Sequence, residues 1–327
     1  MTTAPSFSRD VLTLDLAKET ERICGAIRTW LRKLNRRGAV VGLSAGIDSS
    51  VVGALCVRAI GKERVFGLLM PEDESSDETR RLSDMLVAHF GIDHALEEIT
   101  PILRGARCYE RRDEAMRKAI PEYQSSWKSK IVLPSVVDSD QFRVFSAVVR
   151  SPDGREQRVR LNTEAYLGIV AATNFKQRAR AMLEYYHADR LNFAVAGTPN
   201  LLEYDQGFFV KLGDGAADFK PIAHLYKTQV YALAAHLGLP EEIQARLPTT
   251  DTYSLAQSQE EFYFSLPYGE MDLCLWAHDH GVSAADAAPV LELTAEQVGR
   301  VYRDIEGKRA FARYLHAAPL TFFEAHG

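Results

Sequence analysis

Apolar residues recur at three- and four-residue spacing through Ile23, Ala26, Ile27, Trp30, Leu31 and Leu34, and this stripe predicts an amphipathic helix. Arg32, Lys33, Arg36 and Arg37 close it, as suits the negative end of a helix dipole. Ala39-Val-Val-Gly-Leu43 is a short unbroken apolar run, the pattern of a strand buried on both faces. A polar turn at 44–49 leads into a second helical pattern through Val52, Leu55 and Cys56. Residues 64–70 read as another buried strand, 77–90 as a helix stopped by Gly91, and 94–99 as a third strand. Strand and helix alternate, so the fold class is α/β. The expected core is a doubly wound, mostly parallel sheet flanked by helices, with ligands at the strand C-termini.

The alternation breaks after Pro101. Residues 103–141 are polar and helix-like, while 142–149 and 156–161 flank Ser151-Pro-Asp-Gly154 as an antiparallel hairpin. Hairpins are foreign to a βαβ run, so about 103–162 reads as an insertion in a single domain spanning 1–327. A long helical pattern covers 163–190, a strand 192–196 and a further helix 225–237. The C-terminal part reads as mainly helical, with a capping box at Thr294 and Gln297.

Composition narrows the class without naming a reaction. Of 327 residues, 46% are hydrophobic and 25% charged, and the net charge of −5 gives no basic footprint for nucleic acid. The apolar stretch 39–60 contains Asp48 and Arg58, which argues against a membrane span, and residues 1–10 lack the pattern of a secretory signal. Cys24, Cys56, Cys108 and Cys274 lie far apart, as free thiols in a reducing cytoplasm do. The expectation is a cytoplasmic protein with no nucleic-acid or membrane partner.

The turn Gly42, Leu43, Ser44, Ala45, Gly46, Ile47, Asp48, Ser49 sits between a strand and a helix. Read as G-x-S-x-G, it is a nucleophile elbow with Ser44 attacking, as in a serine hydrolase. Read as Ser-small-Gly-x-Asp-Ser, it is a pyrophosphate loop whose amides and helix N-terminus hold phosphate. A plain strand-to-helix turn is the third option. Chain order disfavours the hydrolase, because no strand precedes residue 39 to carry an oxyanion loop. Asp48 favours the phosphate reading, since a carboxylate there suits Mg²⁺ shared with phosphate oxygens. Other signals are weaker. There is no P-loop lysine motif, and residues 213–218 lack a Rossmann third glycine. His278-Asp-His280 reads as solvated, and the acidic run 72–78 reads as a complement to a helix N-terminus.

Ser44-Ala-Gly-Ile-Asp-Ser49 resembles the S-G-G-x-D-S loop of the N-type ATP pyrophosphatases. Gly197-Thr-Pro-Asn-Leu-Leu-Glu203, then Phe208-Phe-Val-Lys-Leu-Gly-Asp-Gly-Ala-Ala-Asp218, Leu225-Tyr-Lys227 and Pro248-Thr249, is similar to the ammonia-dependent NAD synthetases. The resemblance runs from about 38 to 251 outside the insertion, and more weakly to the C-terminus. It implies a ligase that adenylates the carboxylate of deamido-NAD with ATP, then amidates it with ammonia, releasing AMP and pyrophosphate. It makes residues 42–49 the pyrophosphate loop, with Thr198, Lys227 and Thr249 also binding ATP. Asp48 and Glu203 match the Mg²⁺ ligands, and Arg178, Lys211, Asp218 and Lys308 match acceptor-binding positions. Asp48, Lys211 and Lys227 become the catalytic set, and a homodimer is implied.

Both metal carboxylates follow predicted strands, so both belong at one sheet edge. Their retention argues against a non-catalytic nucleotide-binding protein. Ala45 replaces the family's first glycine, and a Cβ is costly if that position needs positive φ. Gly307-Lys308-Arg309 stands where the family has His-Lys-Arg. The insertion borders the expected acceptor site, so a related ligase acting on a different carboxylate is the main alternative. No glutaminase-like region is recognised, so ammonia is expected free or from a separate supplying partner.

Overall fold

The computed structural model describes residues 7–133, 145–246, 253–255, 263–264 and 266–322. Helix α1 (Leu16–Lys33) begins at Asp15, whose side chain accepts from the Lys18 amide. It ends before Arg36 and Arg37. At Asn35, φ of 54° turns the chain out of the helix, so those two arginines lie beyond it rather than closing it.

Strand β1 (Ala39–Gly42), helix α2 (Ile47–Ile60), strand β2 (Val65–Leu69), helix α3 (Asp77–Phe90) and strand β3 (Asp93–Leu96) follow in order. Gly91 stops α3 at φ 60°, as its sequence position predicts. Asp77 and Glu78 occupy the first turn of α3, but Glu72 and Glu74 do not complement it. They pair instead with Lys176 and Arg112, in a buried network with no local sequence signal. The third strand is shorter than expected, because Ile99 turns away to start α4 (Thr100–Gly105).

The expectation of helix-like structure throughout 103–141 holds for α5 (Cys108–Arg117) but not beyond it. Lys128–Val132 is a strand, β4, pairing antiparallel with β5 (Ser146–Arg150), which pairs with β6 (Glu156–Arg160). The reason is period-two burial: Ser129 and Ile131 point into a core with Ala147, Val149 and Tyr123, while Lys128 is exposed. The predicted hairpin is therefore two-thirds of a three-stranded sheet; residues 142–144 of its first arm lie outside the described residues.

Helix α6 (Thr163–Leu191) leads to β7 (Ala194–Val195), then α7 (Leu201–Gln206), α8 (Lys227–His236) and α9 (Glu241–Ala245). Three helices, α10 (Tyr268–Asp279), α11 (Ala284–Leu291) and α12 (Ala295–His316), form a second core with Val11 and Leu12; the Thr294–Gln297 capping box opens α12.

The main sheet runs β3-β2-β1-β7 with every pair parallel. Its faces alternate residue by residue. Ala39, Val41, Val65 and Leu69 pack with α1, α2, α3 and α8, while Val40, Phe66, Leu68 and Val195 pack with Ala188 of α6. Helices thus cover both faces. The chain steps outward from β1 to β3, and α6 then returns it to the far side of β1. This reversal opens a crevice at the C-terminal ends of β1 and β7. Among the described residues no helix is long and apolar enough to cross a membrane.

Candidate active site

The crevice is a cleft of about 680 Å³ walled by the loop after β1, one face of α6, the residues after β7 and the end of α12. Gly42, Leu43, Ser44, Gly46, Ile47, Asp48 and Ser49 all line it. Ala45 does not: it takes φ 56° and turns its methyl into the hydrophobic core, fully buried. The position does demand the left-handed region, and the methyl is accommodated by packing away from the cleft. Gly46 caps α2 without a side-chain hydrogen bond, so the first-turn amides of that 14-residue helix lack a side-chain cap. The Ser49 and Ser50 hydroxyls donate to the Gly46 carbonyl at 3.0 and 2.9 Å. Arg246, itself on the cleft lining, clamps the loop by donating to the Ser44 carbonyl at 3.0 Å and to Thr79 at 2.6 Å.

Asp48 projects from the first turn of α2 towards three residues distant in sequence. Its carboxylate is ion-paired to Lys227 and accepts from Asn200 Nδ2 at 3.0 Å. Asn200 also caps α7: its Oδ1 accepts from the Glu203 amide, and Glu203 Oε2 accepts from the Asn200 amide, each at 3.2 Å. The capping box thereby aims Glu203 at the cleft. Lys227 is fully buried at the start of α8, where Asp272 accepts from the Lys227 and Thr228 amides at 3.2 and 2.7 Å. Burial opposes the Lys227 charge, but Asp48 and Glu203 together outweigh it and raise its pKa. Burial first, then repulsion from Asp48, pushes Glu203 up to about 8. Lys227 is the cation that offsets this repulsion.

Among the described residues Ser44 has no triad around it. Its hydroxyl neighbours are Ser49 Oγ at 3.3 Å and the Gly46 amide at 3.4 Å. No histidine among the described residues bonds to it, so the nucleophile-elbow reading is set aside.

Thr198, Arg178 and Lys211 also line the cleft. Lys211 donates to the carbonyls of Tyr314 and Ala317, both at 2.9 Å, so it ties the end of α12 to the cleft. Asp218 and Lys308 do not line the cleft. Asp218 accepts from the Val195 amide at 2.7 Å, and Lys308 donates to the Tyr263 carbonyl at 2.7 Å and pairs with Asp304. Thr249 lies outside the described residues. The sequence reading missed Asn200, Arg246, Glu184 and Asp214. Asn200 was detectable, since N-x-x-E is a capping signature; the other three carry no local signal.

The comparisons decide the family. The NAD synthase family model matches residues 19–122 and 155–314. An NH(3)-dependent NAD(+) synthetase of Rhizobium meliloti (strain 1021) is 56% identical over 313 residues, 96% of this chain and 94% of that protein. The chain belongs to the NAD synthase family. Among solved structures, an NH3-dependent NAD synthetase from Campylobacter jejuni superposes with a TM-score of 0.60 at 25% identity, covering 94% of this chain and 99% of that one. An NMN synthetase from Francisella tularensis, at 21% identity and TM-score 0.64, shares the fold. The family model skips 123–154, which includes β4 and β5.

Three carboxyls, half-buried Asp214 and Glu184 on the cleft wall and buried Asp272 beneath α8, predict the pH stability of the protein. Burial raises Asp214 and Asp272 to about 6 and Glu184 to about 8, with Asp214 adding repulsion at Glu184. Each holds its proton more tightly folded than unfolded. The stability it contributes is complete below the ordinary carboxyl range and is lost as pH rises through the folded value. The melting temperature of the ligand-free protein is therefore expected to fall between pH 5 and 8.5 in scanning calorimetry. A rise across that window contradicts the assignment.

Proposed function

We propose that the chain amidates deamido-NAD to NAD with ammonia, activating the substrate carboxylate with ATP as an acyl-adenylate. The observation that carries this reading is the convergence of Asp48, Glu203, Asn200 and Lys227 beside the N-terminus of α2 that carries no side-chain cap. The loop amides and the positive end of α2 suit the triphosphate, and the Ser44 and Ser49 hydroxyls add donors. Negative charge grows on the leaving pyrophosphate, and Lys227, buried and ion-paired to Asp48, stands behind the two carboxyls that line that end of the cleft. Arg178, whose Nε donates to the Lys211 carbonyl at 3.4 Å, lies on the wall that would receive the anionic acceptor.

Asp48 and Glu203 fit Mg²⁺. No group of three protein ligands occurs among the described residues, and two carboxylates suit an ion that takes its remaining ligands from phosphate and water. Bound there, Mg²⁺ would supply charge neutralisation to the phosphates. Thr198 lines the same end, and Thr249 is proposed for ATP with it. Asp218 and Lys308, off the cleft of a single chain, are proposed for the acceptor only where a second copy completes the site. The exposed α6 side chains Met182 and Tyr186 offer apolar surface for such a homodimer. All four cysteines are buried free thiols, consistent with a cytoplasmic setting.

The test mixes purified protein with ATP, Mg²⁺, ammonium and deamido-NAD. AMP, pyrophosphate and NAD are expected in equal amounts, from a particle of two chains by light scattering. ADP with phosphate rejects adenylation, and turnover on glutamine alone rejects ammonia as the donor. ATP cleavage only with some other carboxylate rejects deamido-NAD.

A further inference from the structure

Thr173, Gln177, Arg180 and Glu184 recur along α6 at helical spacing and turn one stripe of that helix towards the cleft. Glu184 ends the stripe under the C-terminus of β1. A Cβ at residue 42 would collide with its carboxyl oxygen, so the glycine there lets the acid reach the strand end. Among the described residues Glu184 makes no hydrogen bond or ion pair, although its neighbours do. Asp214 accepts from the Val210 amide at 2.7 Å, Arg180 donates to the Met70 carbonyl at 3.5 Å, and the Tyr185 hydroxyl donates to Asp218 at 3.5 Å. The charged and titratable groups facing Glu184 are Asp214, from the 210–215 loop, with Arg180 and Tyr185 of its own helix. The strand ends present Gly42 and Met70, which carry no charge.

We propose that the Glu184 carboxyl donates a hydrogen bond to the anionic carboxylate of the acceptor. This rests on the reading given under Proposed function. A carboxylic acid with an unused O–H, opening on a cleft for an anion, matches an anionic oxygen. The triphosphate is served by the amides at the start of α2, whereas Glu184, although it abuts Gly42 at the strand end, projects from α6, the helix that also carries Arg178. The carboxylate, not the phosphate chain, is therefore its partner. Burial and the charge of Asp214 keep the proton on Glu184 until about pH 8. Once ionised, Glu184 repels the carboxylate it had held.

The experiment measures the dissociation constant of deamido-NAD by calorimetry without ATP, from pH 6.5 to 9.5, for the wild type and Glu184→Gln. Glutamine keeps a donor and cannot ionise. The wild-type constant is expected to be flat near pH 7 and to rise about tenfold per pH unit above pH 8. Glu184→Gln is expected to bind deamido-NAD more weakly than the wild type at pH 7, because an amide is a weaker donor than a carboxylic acid, and to lose the steep rise. Coincident profiles overturn the proposal, as does a rise confined to the KM for ATP. A drop in the kcat of Glu184→Gln of about a hundredfold with unchanged binding also overturns it, by making Glu184 a base. Wild type that forms no NAD from deamido-NAD at pH 7 rejects the parent reading instead. Circular dichroism at each pH confirms that both proteins are folded.

Discussion

Asp48→Asn is expected to lower NAD formation by at least about 10²–10³-fold, the loss typical of removing one group that stabilises transition-state charge, while leaving the protein folded. The two effects separate because of the neighbours. Lys227 is fully buried, and removing the partner of a buried charge ordinarily costs about 3–5 kcal/mol. Here Glu203 stands ready to replace it. Repulsion from Asp48 is part of what lifts Glu203 to about 8, so with that charge gone Glu203 ionises more readily and becomes the counter-charge of Lys227. The amide introduced by the substitution can also keep the hydrogen bond with Asn200, by turning its oxygen towards that side chain. The checks are AMP and NAD release at saturating ATP, with the melting temperature of the same preparation. A variant that retains activity sinks the metal-carboxylate reading, and one that unfolds sinks the compensating role of Glu203.

The parts of this site that could be read in the sequence share one property: their signal is local. The unbroken apolar run of β1, the polar turn and the apolar positions of α2 announce a strand, a loop and a helix in consecutive residues, and the phosphate loop lies where they meet. Gly91 and the Thr294–Gln297 box mark helix ends for the same reason. What escaped is set by contacts between distant segments. Ala45 carries no sign that its methyl points into the core, because that depends on α2 and the sheet closing around it. Strand β4 looks polar, since two of its five residues are lysines, and only pairing with β5 makes it a strand. Glu184 sits deep in a 29-residue helix with no amphipathic stripe of its own, and it becomes conspicuous only when Gly42 is brought beneath it. Lys211 shows the converse. Its motif places it on the cleft wall, yet nothing local foretells that two of its donors go to the end of α12.

Lys176→Met should cost about 3–5 kcal/mol of stability, the penalty for breaking a buried ion pair from one side. Lys176 is 1% exposed and donates to Glu72 at 2.7 Å and Glu74 at 2.5 Å, which joins α6 to the segment after β2. Arg112 of α5 holds Glu74 at 2.5 Å and the Tyr109 hydroxyl donates to Glu72 at 2.6 Å, so the insertion is fastened to the cleft wall through the same cluster. The pH dependence distinguishes this mechanism from simple loss of packing. In the wild type, burial pushes Glu74 up, but the charges of Lys176 and Arg112 outweigh it and hold the group below its usual value. Its contribution is therefore present above the ordinary glutamate range and lost as pH falls. Without Lys176, burial at Glu74 is opposed by Arg112 alone, so Glu74 should hold its proton more tightly folded than unfolded, and Glu72 loses its ammonium partner. The sign then reverses, and the variant's deficit in melting temperature should shrink as pH is lowered from 8 to 5. Adding Glu72→Gln to Lys176→Met removes one of the stranded charges and should recover part of the loss at pH 8. Equal deficits at both pH values, with no recovery in the double variant, would mean that the lysine stem, rather than its charge, holds the insertion in place.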